Sequence, residues 1–489
     1  PQITFFKVVY RRHTNFAREE ICQYFIHEPN FGKRTTCKIS SEGDMIQRMT
    51  LKITLPEIPP DTGTKFAWIR RIGQAMIKYV EIEINGKVID KHYGEWLYIW
   101  SMLTTRNITD GGLDKLIGNV PELTDFTNGK KEYILYIPLY FWFCRASGLA
   151  LPLISLQYSD IKVNIELYEF EKCYILSPTH YIKCDAHLVN FEQYEYLVQR
   201  ASDGIDRYGI FSHFDVINKR LYYTAITNDK FTGVPYDGDP LMLNDTIRGS
   251  LLNTTKSEKY LIRGVSTRFS IKPDVGVKSI SSHHKSLKNI ALGECLLLVD
   301  YVYLDDDERF KFAQTKQDYL IEQLYFTPNA LIESTNPKVK LDIDQPCKLT
   351  VWLAQLDYIS NFNDRFNYTD SHILKRKSDH YLTDPDKMKQ FHDTGVNQET
   401  GKSLIDEESI KLNSQTRVEK MNNEYFEYLQ AFQSTSNRLP RGCGMYSYSL
   451  FPTDPSPSGA TNMSQIELIE LFLKMNYKVN VNQRAKFRS

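Results

Sequence analysis

Excess charge of either sign is the first thing this 489-residue chain lacks, with 60 Lys and Arg standing against 60 Asp and Glu. A protein that coats nucleic acid by charge alone needs a basic surplus, so direct nucleic-acid binding is not expected. A neutral surface instead suits a protein that lies close against copies of itself. Cysteine pairing patterns are missing too: the eight cysteines, at 22, 37, 144, 173, 184, 295, 347 and 443, form no C-x-x-C pair and have no His at zinc spacing. They read as free, mostly buried thiols, which fits a reducing compartment. There is no phosphate-cradling glycine loop, no G-x-S-x-G elbow and no H-E-x-x-H, so neither an enzyme nor a cofactor is expected. His283 and His284 are adjacent and point to opposite faces of an extended segment, which argues against a shared metal. His372, His380 and His392 share a polar tract and read as wet-loop residues. The acidic run Asp305, Asp306, Asp307 and Glu308 lacks the spacing and glycine of a calcium loop.

An unbroken apolar span is also lacking. Residues 137–158, IPLYFWFCRASGLALPLISLQY, are long enough to cross a bilayer, but Arg145, Gly148, Pro138 and Pro152 interrupt them. Two strands and a connecting loop are expected there. The chain opens at Pro1 with neither Met nor a signal-peptide pattern, so upstream residues are expected to precede it.

What the chain has in plenty is aromatic and alternating sequence. Its 31 Tyr and 26 Phe favour half-buried β surface, and 489 residues exceed what one core usually supports, which predicts two domains. The opening PQITFFKVVYRRHTNF sets Phe6, Val8 and Tyr10 on one face and Ile3, Phe5 and Val9 on the other. That is a strand covered on both sides, with Arg11, Arg12 and His13 as its solvated end. Leu51, Ile53 and Leu55, then Val80, Ile82 and Ile84, then Ile161, Val163, Ile165 and Leu167 alternate with polar residues as strands with one wet face. Asn85-Gly86 between two such runs predicts a tight hairpin. Residues 294–304 and 348–358 read as core strands, and the period-two run from Ile469 to Val481 as a terminal strand. Helical spacing is confined to 94–103, to the weaker candidate 66–76, and to 303–320, where Asp305 or Asp306 caps a helix whose acidic first turn suits its dipole.

Many short strands with Gly and Pro in the connections make an all-β sandwich or barrel the expected class. The capped helix at 305–318 is the expected boundary between halves 1–304 and 319–489. Loop-rich insertions are expected at about 170–290 in the first half and about 360–415 in the second. No sequence repeat relates the halves. Sequons fall at Asn107, Asn244, Asn253, Asn367 and Asn462.

Five of these segments, in order, resemble one family, the major capsid proteins of the nucleocytoplasmic large DNA viruses: the opening run, VEIEINGKVIDKHYGEWL (80–97), residues 137–167, LVDYVYLDDDERFKFAQTKQDYLIEQL (298–324) and GMYSYSLFPTDPSPSGATNMS (444–464). The resemblance spans nearly the whole chain and is weakest in the two loop-rich tracts. Its signature positions here are Phe5, Phe6, Tyr10, Arg11, Arg12, His13, Asn85, Gly86, Gly94, Glu95, Trp96, Trp142, Asp300, Asp307, Glu308, Pro457, Ser458, Gly459 and Asn462. The resemblance implies two consecutive eight-stranded antiparallel jelly rolls with short helices. It further implies homotrimers forming pseudo-hexagonal capsomers of an icosahedral shell, partnered by minor capsid, cement and penton proteins over an inner viral membrane. Assembly is then expected in the host cytoplasm, with the opening segment as the first strand of the first barrel and the 170–290 insertion facing outward. A carbohydrate-binding or cell-surface β-sandwich, a jelly-roll metal enzyme, and a viral membrane scaffold of the same fold are the alternatives.

Overall fold

The computed structural model describes residues 14–60, 65–105, 111–186, 188–192, 195–201, 203–226, 229–234, 260–265, 267–281, 287, 289–316, 318–327, 330–332, 334–356, 363–370, 402–435 and 437–476, and the backbone of 485–488. Eight strands build a first sandwich: β1 (Phe16–Gln23), β2 (Arg34–Lys38), β3 (Met45–Leu55), β4 (Ile77–Ile84), β5 (Lys87–Tyr93), β6 (Tyr133–Pro138), β7 (Ile161–Leu167) and β8 (Cys295–Leu304). Its two sheets run β1-β8-β3-β6, with the two-residue strand Leu151–Pro152 branching from β3, and β2-β7-β4-β5. Eight more build a second: β9 (Ala330–Ile332), β10 (Lys338–Leu341), β11 (Leu349–Leu356), β12 (Ile405–Leu412), β13 (Gln415–Asn422), β14 (Cys443–Ser447), β15 (Ile469–Met475) and β16 (Ala485–Arg488). Their orders are β9-β16-β11-β14 and β10-β15-β12-β13. Adding eight to every strand number of the first sandwich reproduces the second, so the chain holds the same jelly-roll topology twice. The pairings within both sandwiches are antiparallel.

The alternating runs fold as the pleat demands, one residue in and the next out. Ile161, Val163, Ile165 and Leu167 of β7 are buried, as are Leu51, Ile53 and Leu55 of β3. At the β4–β5 hairpin, Asn85 (φ 50) and Gly86 (φ 79) both take the left-handed conformation that such a two-residue turn needs. Asn85 does more than turn the chain: its Oδ1 accepts from the Asp160 amide at 2.9 Å and its Nδ2 donates to Ser159 Oγ at 3.1 Å, fixing the hairpin to the start of β7.

Helix α1 (Gly94–Thr104) follows β5, and α2 (Asp306–Gln314) follows β8. Asp305 caps α2, its Oδ1 accepting from the Asp306 amide at 3.0 Å, and Asp306, Asp307 and Glu308 fill the first turn. Around 66–76 the helix shrinks to Ile72–Ala75. Arg71 before it sits at φ 52, which stops a helix from starting earlier, and Lys65–Trp68 pairs as a strand with Tyr174–Ser177. Within 137–158, β6 and Leu151–Pro152 flank a helical turn, Trp142–Arg145. Among the described residues no helix is long and apolar enough to cross a membrane. In the terminal run β15 ends at Met475, and Tyr477, Val479 and Val481 lie outside the described residues. Phe5, Phe6, Tyr10, Arg11, Arg12 and His13 lie outside them too, as does the strand expected of the opening run.

Among the described residues the three largest buried clusters are one centred on the first sandwich, one on the second, and a third inside the 170–290 tract. That tract, expected to be a loop-rich insertion, contains a seven-stranded sheet ordered Ser270–Ile271, Ile262–Gly264, Tyr196–Arg200, Asp206–Asp215, Arg220–Ala225, His180–Lys183 and Ile280–Ser281. Apart from Asp206–Asp215 its strands are short, and they carry aromatics on both faces, as in RLYYTA, so no clean alternation marks them. One face buries Leu197, Phe211, Leu221 and Tyr223, while Ile210 of the other packs into the first sandwich cluster. In the second tract, residues 371–401 lie outside the described residues, and the stretch from Ile405 belongs to β12.

Candidate assembly site

The first cluster does not stop at the first sandwich. Leu353, Phe366, Tyr368, Ala431, Leu439, Cys443 and Met445 of the second half are part of it, so the halves share one continuous apolar seam. Three groups of polar contacts frame it.

Helix α1 forms one wall. Its first residue has no room for a side chain, since a Cβ on Gly94 would lie 2.4 Å from the carbonyl oxygen of Gln74 and 2.6 Å from that of Ile77. Glu95 then occupies the first turn, where the helix dipole favours it. Trp96 and Trp100 stack at 5.3 Å, and the Arg145 guanidinium lies 4.2 Å over the Trp100 ring. Arg145 also pairs with Glu322, which pairs with Lys348 at 2.5 Å. Two cations thus share one carboxylate between the halves. Burial holds both the Arg145 and the Lys348 pKa below their ordinary values, partly offset by Glu322.

The connection between β11 and β12 supplies a plug. The Asn363 amide donates to the carbonyls of Glu171 and Tyr174 at 2.7 and 2.8 Å, and Arg70 meets Asp364 at 3.2 Å. Arg365 lies 3.2 Å over the Tyr168 ring and donates to the Ala75 carbonyl at 3.3 Å, and Phe366 stacks on Tyr98 at 4.7 Å. Asn363 reaches this geometry with φ 54, which Asn tolerates better than most residues.

The segment between α2 and β9 acts as a strap along the open edge of β5. Its Gln323 side chain donates to the Ile89 carbonyl, the Leu324 amide donates to Asp90 Oδ1 at 3.0 Å, and Phe326 stacks on Tyr93 at 4.6 Å.

Of the signature residues, Gly94, Glu95 and Trp96 belong to the seam helix and the others are dispersed. Trp142 is buried in the first cluster. Asp300 pairs with Arg18 across the β1–β8 ladder, and Glu308 meets Lys311 at 3.1 Å within α2. Pro457, Ser458 and Gly459 shape a loop in which Ser458 Oγ accepts from the Phe451 amide at 2.9 Å and Gly459 has φ 124. Exposed Asn462 caps a short turn by accepting from the Ser464 amide at 3.2 Å. The sequon residue Asn367 is fully buried, with its Oδ1 accepting from Thr369, while Asn107, Asn244 and Asn253 lie outside the described residues. His283, His284, His372, His380 and His392 also lie outside them, and among the described residues no group of three or more His, Cys, Asp or Glu is placed to hold a metal.

Glu322, Lys348, Asn363 and Arg365 carry the seam and were not singled out by sequence. Their only signal is polar residues set among aromatics, as in QDYLIEQLYF and NDRFNYTD. That marks a side chain reaching across an apolar contact, but gives no partner.

Residues 4–199 match the family described as major capsid protein N-terminus, and residues 308–488 match large eukaryotic DNA virus major capsid protein. The chain is 38% identical to "Probable capsid protein 4" of Acanthamoeba polyphaga mimivirus, covering 100% of this chain and 91% of that protein. It is 29% identical to the major capsid protein of Phaeocystis pouchetii virus over 100% of this chain and 92% of the other. Among solved structures it is similar to the PBCV-1 virus capsid, with a TM-score of 0.59, 22% identity and coverage of 99% and 95%. It is similar also to the Faustovirus major capsid protein, with a TM-score of 0.60, 9% identity and coverage of 100% and 91%. At these identities the structural likeness speaks for the fold, a double jelly roll.

Proposed function

The chain belongs to the major capsid protein family of large eukaryotic DNA viruses, and from that premise we propose that three copies associate into one capsomer. It is a structural protein of the virion capsid. In this reading residues 1–304 are the first jelly roll, 305–318 the connecting helix and 319–489 the second. The observation that carries the reading is the repeated strand order, shifted by eight, in two sandwiches that share one apolar seam. A seam of this kind fixes the angle between like units. Three chains joined head to tail then close a ring with six nearly equivalent corners, and six corners fill a plane.

The contact within the capsomer is expected to be larger and more apolar than the contact between capsomers. Minor capsid, cement and penton proteins would fill the joints of the shell above an inner viral membrane, with assembly in the host cytoplasm. The 170–290 sheet would face outward as a host- or cement-contacting surface, and exposed Asn462 is the described sequon most open to a transferase. The role is architectural, with no reaction and no cofactor assigned.

Negative-stain images of the purified protein test this. Triangular-to-hexagonal particles with six density lobes are expected; particles with two lobes would end the trimer reading. Limited proteolysis tests the outward loops: nicks should fall within 170–290, and cleavage confined to the sandwich strands would contradict that placement.

A further inference from the structure

On the sheet inside 170–290, the face that meets the first sandwich at Ile210 continues past that contact as a row across four strands. His213 stands opposite Tyr222, Tyr222 opposite Tyr181, and Tyr181 opposite Ile280. A register shift between Phe211 and His213 turns the imidazole to this side. The His213 and Tyr222 rings are 4.5 Å apart and within 10° of parallel, and Tyr181 follows Tyr222 at 5.3 Å. His213 is exposed, Ile280 is 47% exposed and both tyrosines are partly exposed.

The next row on the same face carries charge. Arg220 stands directly opposite Lys183, and its guanidinium lies 4.7 Å over the Tyr181 ring. Like charges opposite each other in a ladder are destabilising, yet among the described residues neither cation is in an ion pair. Asp215, on the other side of Arg220, has its oxygens engaged by the Ile217 and Asn218 amides at 3.0 and 3.1 Å and by the Asn218 side chain at 2.7 Å. Asp185, two residues beyond Lys183, pairs with Lys219 at 3.0 Å. Lys65 of the first jelly roll adds a third cation beside the row: burial and its ammonium hold the His213 pKa below the ordinary value, partly offset by Asp215.

We propose that this ledge, formed by Tyr181, Lys183, His213, Arg220, Tyr222 and Ile280, binds an acidic polysaccharide, a chain of sugars bearing sulfate or carboxylate groups. The inference rests on the outward-facing reading of the 170–290 sheet and names what that surface takes. The anionic group is drawn between Arg220 and Lys183, where it relieves their repulsion and meets the planar donor fork of Arg220. Two residues along the strands, about 7 Å away, the tyrosines and Ile280 offer hydroxyl groups and apolar edges. A sugar unit carries both an anion and an uncharged, hydroxyl-rich ring, so it fits the two rows together. A polyacidic peptide brings the charge without the ring, and a nucleic acid needs a longer run of cations.

The test is binding of the full-length chain, at about 0.15 M salt, to immobilised heparin, polygalacturonate, neutral dextran and polyglutamate. Binding is expected on at least one of the two acidic polysaccharides, heparin reporting sulfate and polygalacturonate carboxylate, and not on dextran. A Lys183→Gln/Arg220→Gln variant should bind at least about tenfold more weakly. A Lys340→Gln/Lys402→Gln control, which removes the same charge from exposed positions of the second half, should bind as the wild type does. Lys183→Glu keeps the test decisive if the double variant does not fold, because it turns a like pair into an opposite pair: binding should fall while the melting temperature holds or rises. Equal binding by the wild type and the ledge variants, or equal binding to polyglutamate, overturns the proposal. Failure of the wild type to bind either polysaccharide also overturns it and leaves the outward reading to proteolysis. Binding by free chains that is lost in assembled particles upholds the ledge and overturns the outward reading instead.

Discussion

Arg145 of the first jelly roll and Glu322 of the strap form an ion pair at the seam, with Lys348 of the second jelly roll on the same carboxylate at 2.5 Å and Trp100 beneath the guanidinium. Replacing the carboxylate leaves two half-buried cations facing each other without an anion. Breaking a buried pair from one side costs about 3–5 kcal/mol, and Glu322 keeps some contact with water, so Glu322→Gln is expected to lose about 2–3 kcal/mol in chemical denaturation. Lys311→Gln, which breaks the exposed Glu308 pair, should lose less than about 1 kcal/mol. Equal losses would remove the seam's special role.

Phe366 tests the plug. Its ring is buried and stacks on Tyr98 of α1, so Phe366→Ala should cost about 3–5 kcal/mol. Hydrogen exchange should quicken in α1 more than in β12 and β15, whose core lies elsewhere. Uniform quickening over the chain would mean that the plug does not couple the halves.

Gly94 offers a steric test. A methyl group there meets two backbone carbonyls at 2.4 and 2.6 Å, whereas one on Gly148 meets nothing within 4 Å. Gly94→Ala is expected to cost more than about 3 kcal/mol or to abolish soluble expression; Gly148→Ala should be nearly neutral. A stable Gly94→Ala protein would show that the β5–α1 corner can move.

A buried carboxylate sets a pH dependence in the second jelly roll. Glu408 on β12 is 1% exposed, with its Oε2 accepting from Trp352 Nε1 at 2.7 Å. Burial pushes its pKa up to about 8, and the nearby Glu427 carboxylate adds to the rise. Glu427 is itself raised by burial, and Asn423 donates to it at 2.7 Å. The folded state therefore holds a proton on Glu408 that the unfolded chain gives up near its ordinary pKa of 4.5. The resulting stabilisation is full below that value and is lost as pH rises to about 8. Melting temperature should fall over this window in the wild type and fall less in Glu408→Gln. Parallel profiles for the two proteins would rule the group out.

The β class, the Asn85-Gly86 hairpin, α1 and the capped α2 were legible in the sequence because each depends on neighbours along the chain: alternation, a turn dipeptide, a cap before an acidic turn. The duplicated topology was legible through the family resemblance alone and not through spacing, since strand order is set by contacts between distant residues and the halves share shape without a visible repeat. The sheet inside 170–290 was missed because its strands carry aromatics on both faces and so show no clean alternation. At the seam, Gly94, Glu95 and Trp96 were marked by resemblance. Glu322 and Arg365 acquire meaning only once Arg145 and Tyr168 are brought opposite them.

The most direct test of the account is the native mass of the purified, unmodified chain at micromolar concentration. The account predicts a single dominant species of three chains that persists on dilution; a stable single-chain species under the same conditions would contradict it.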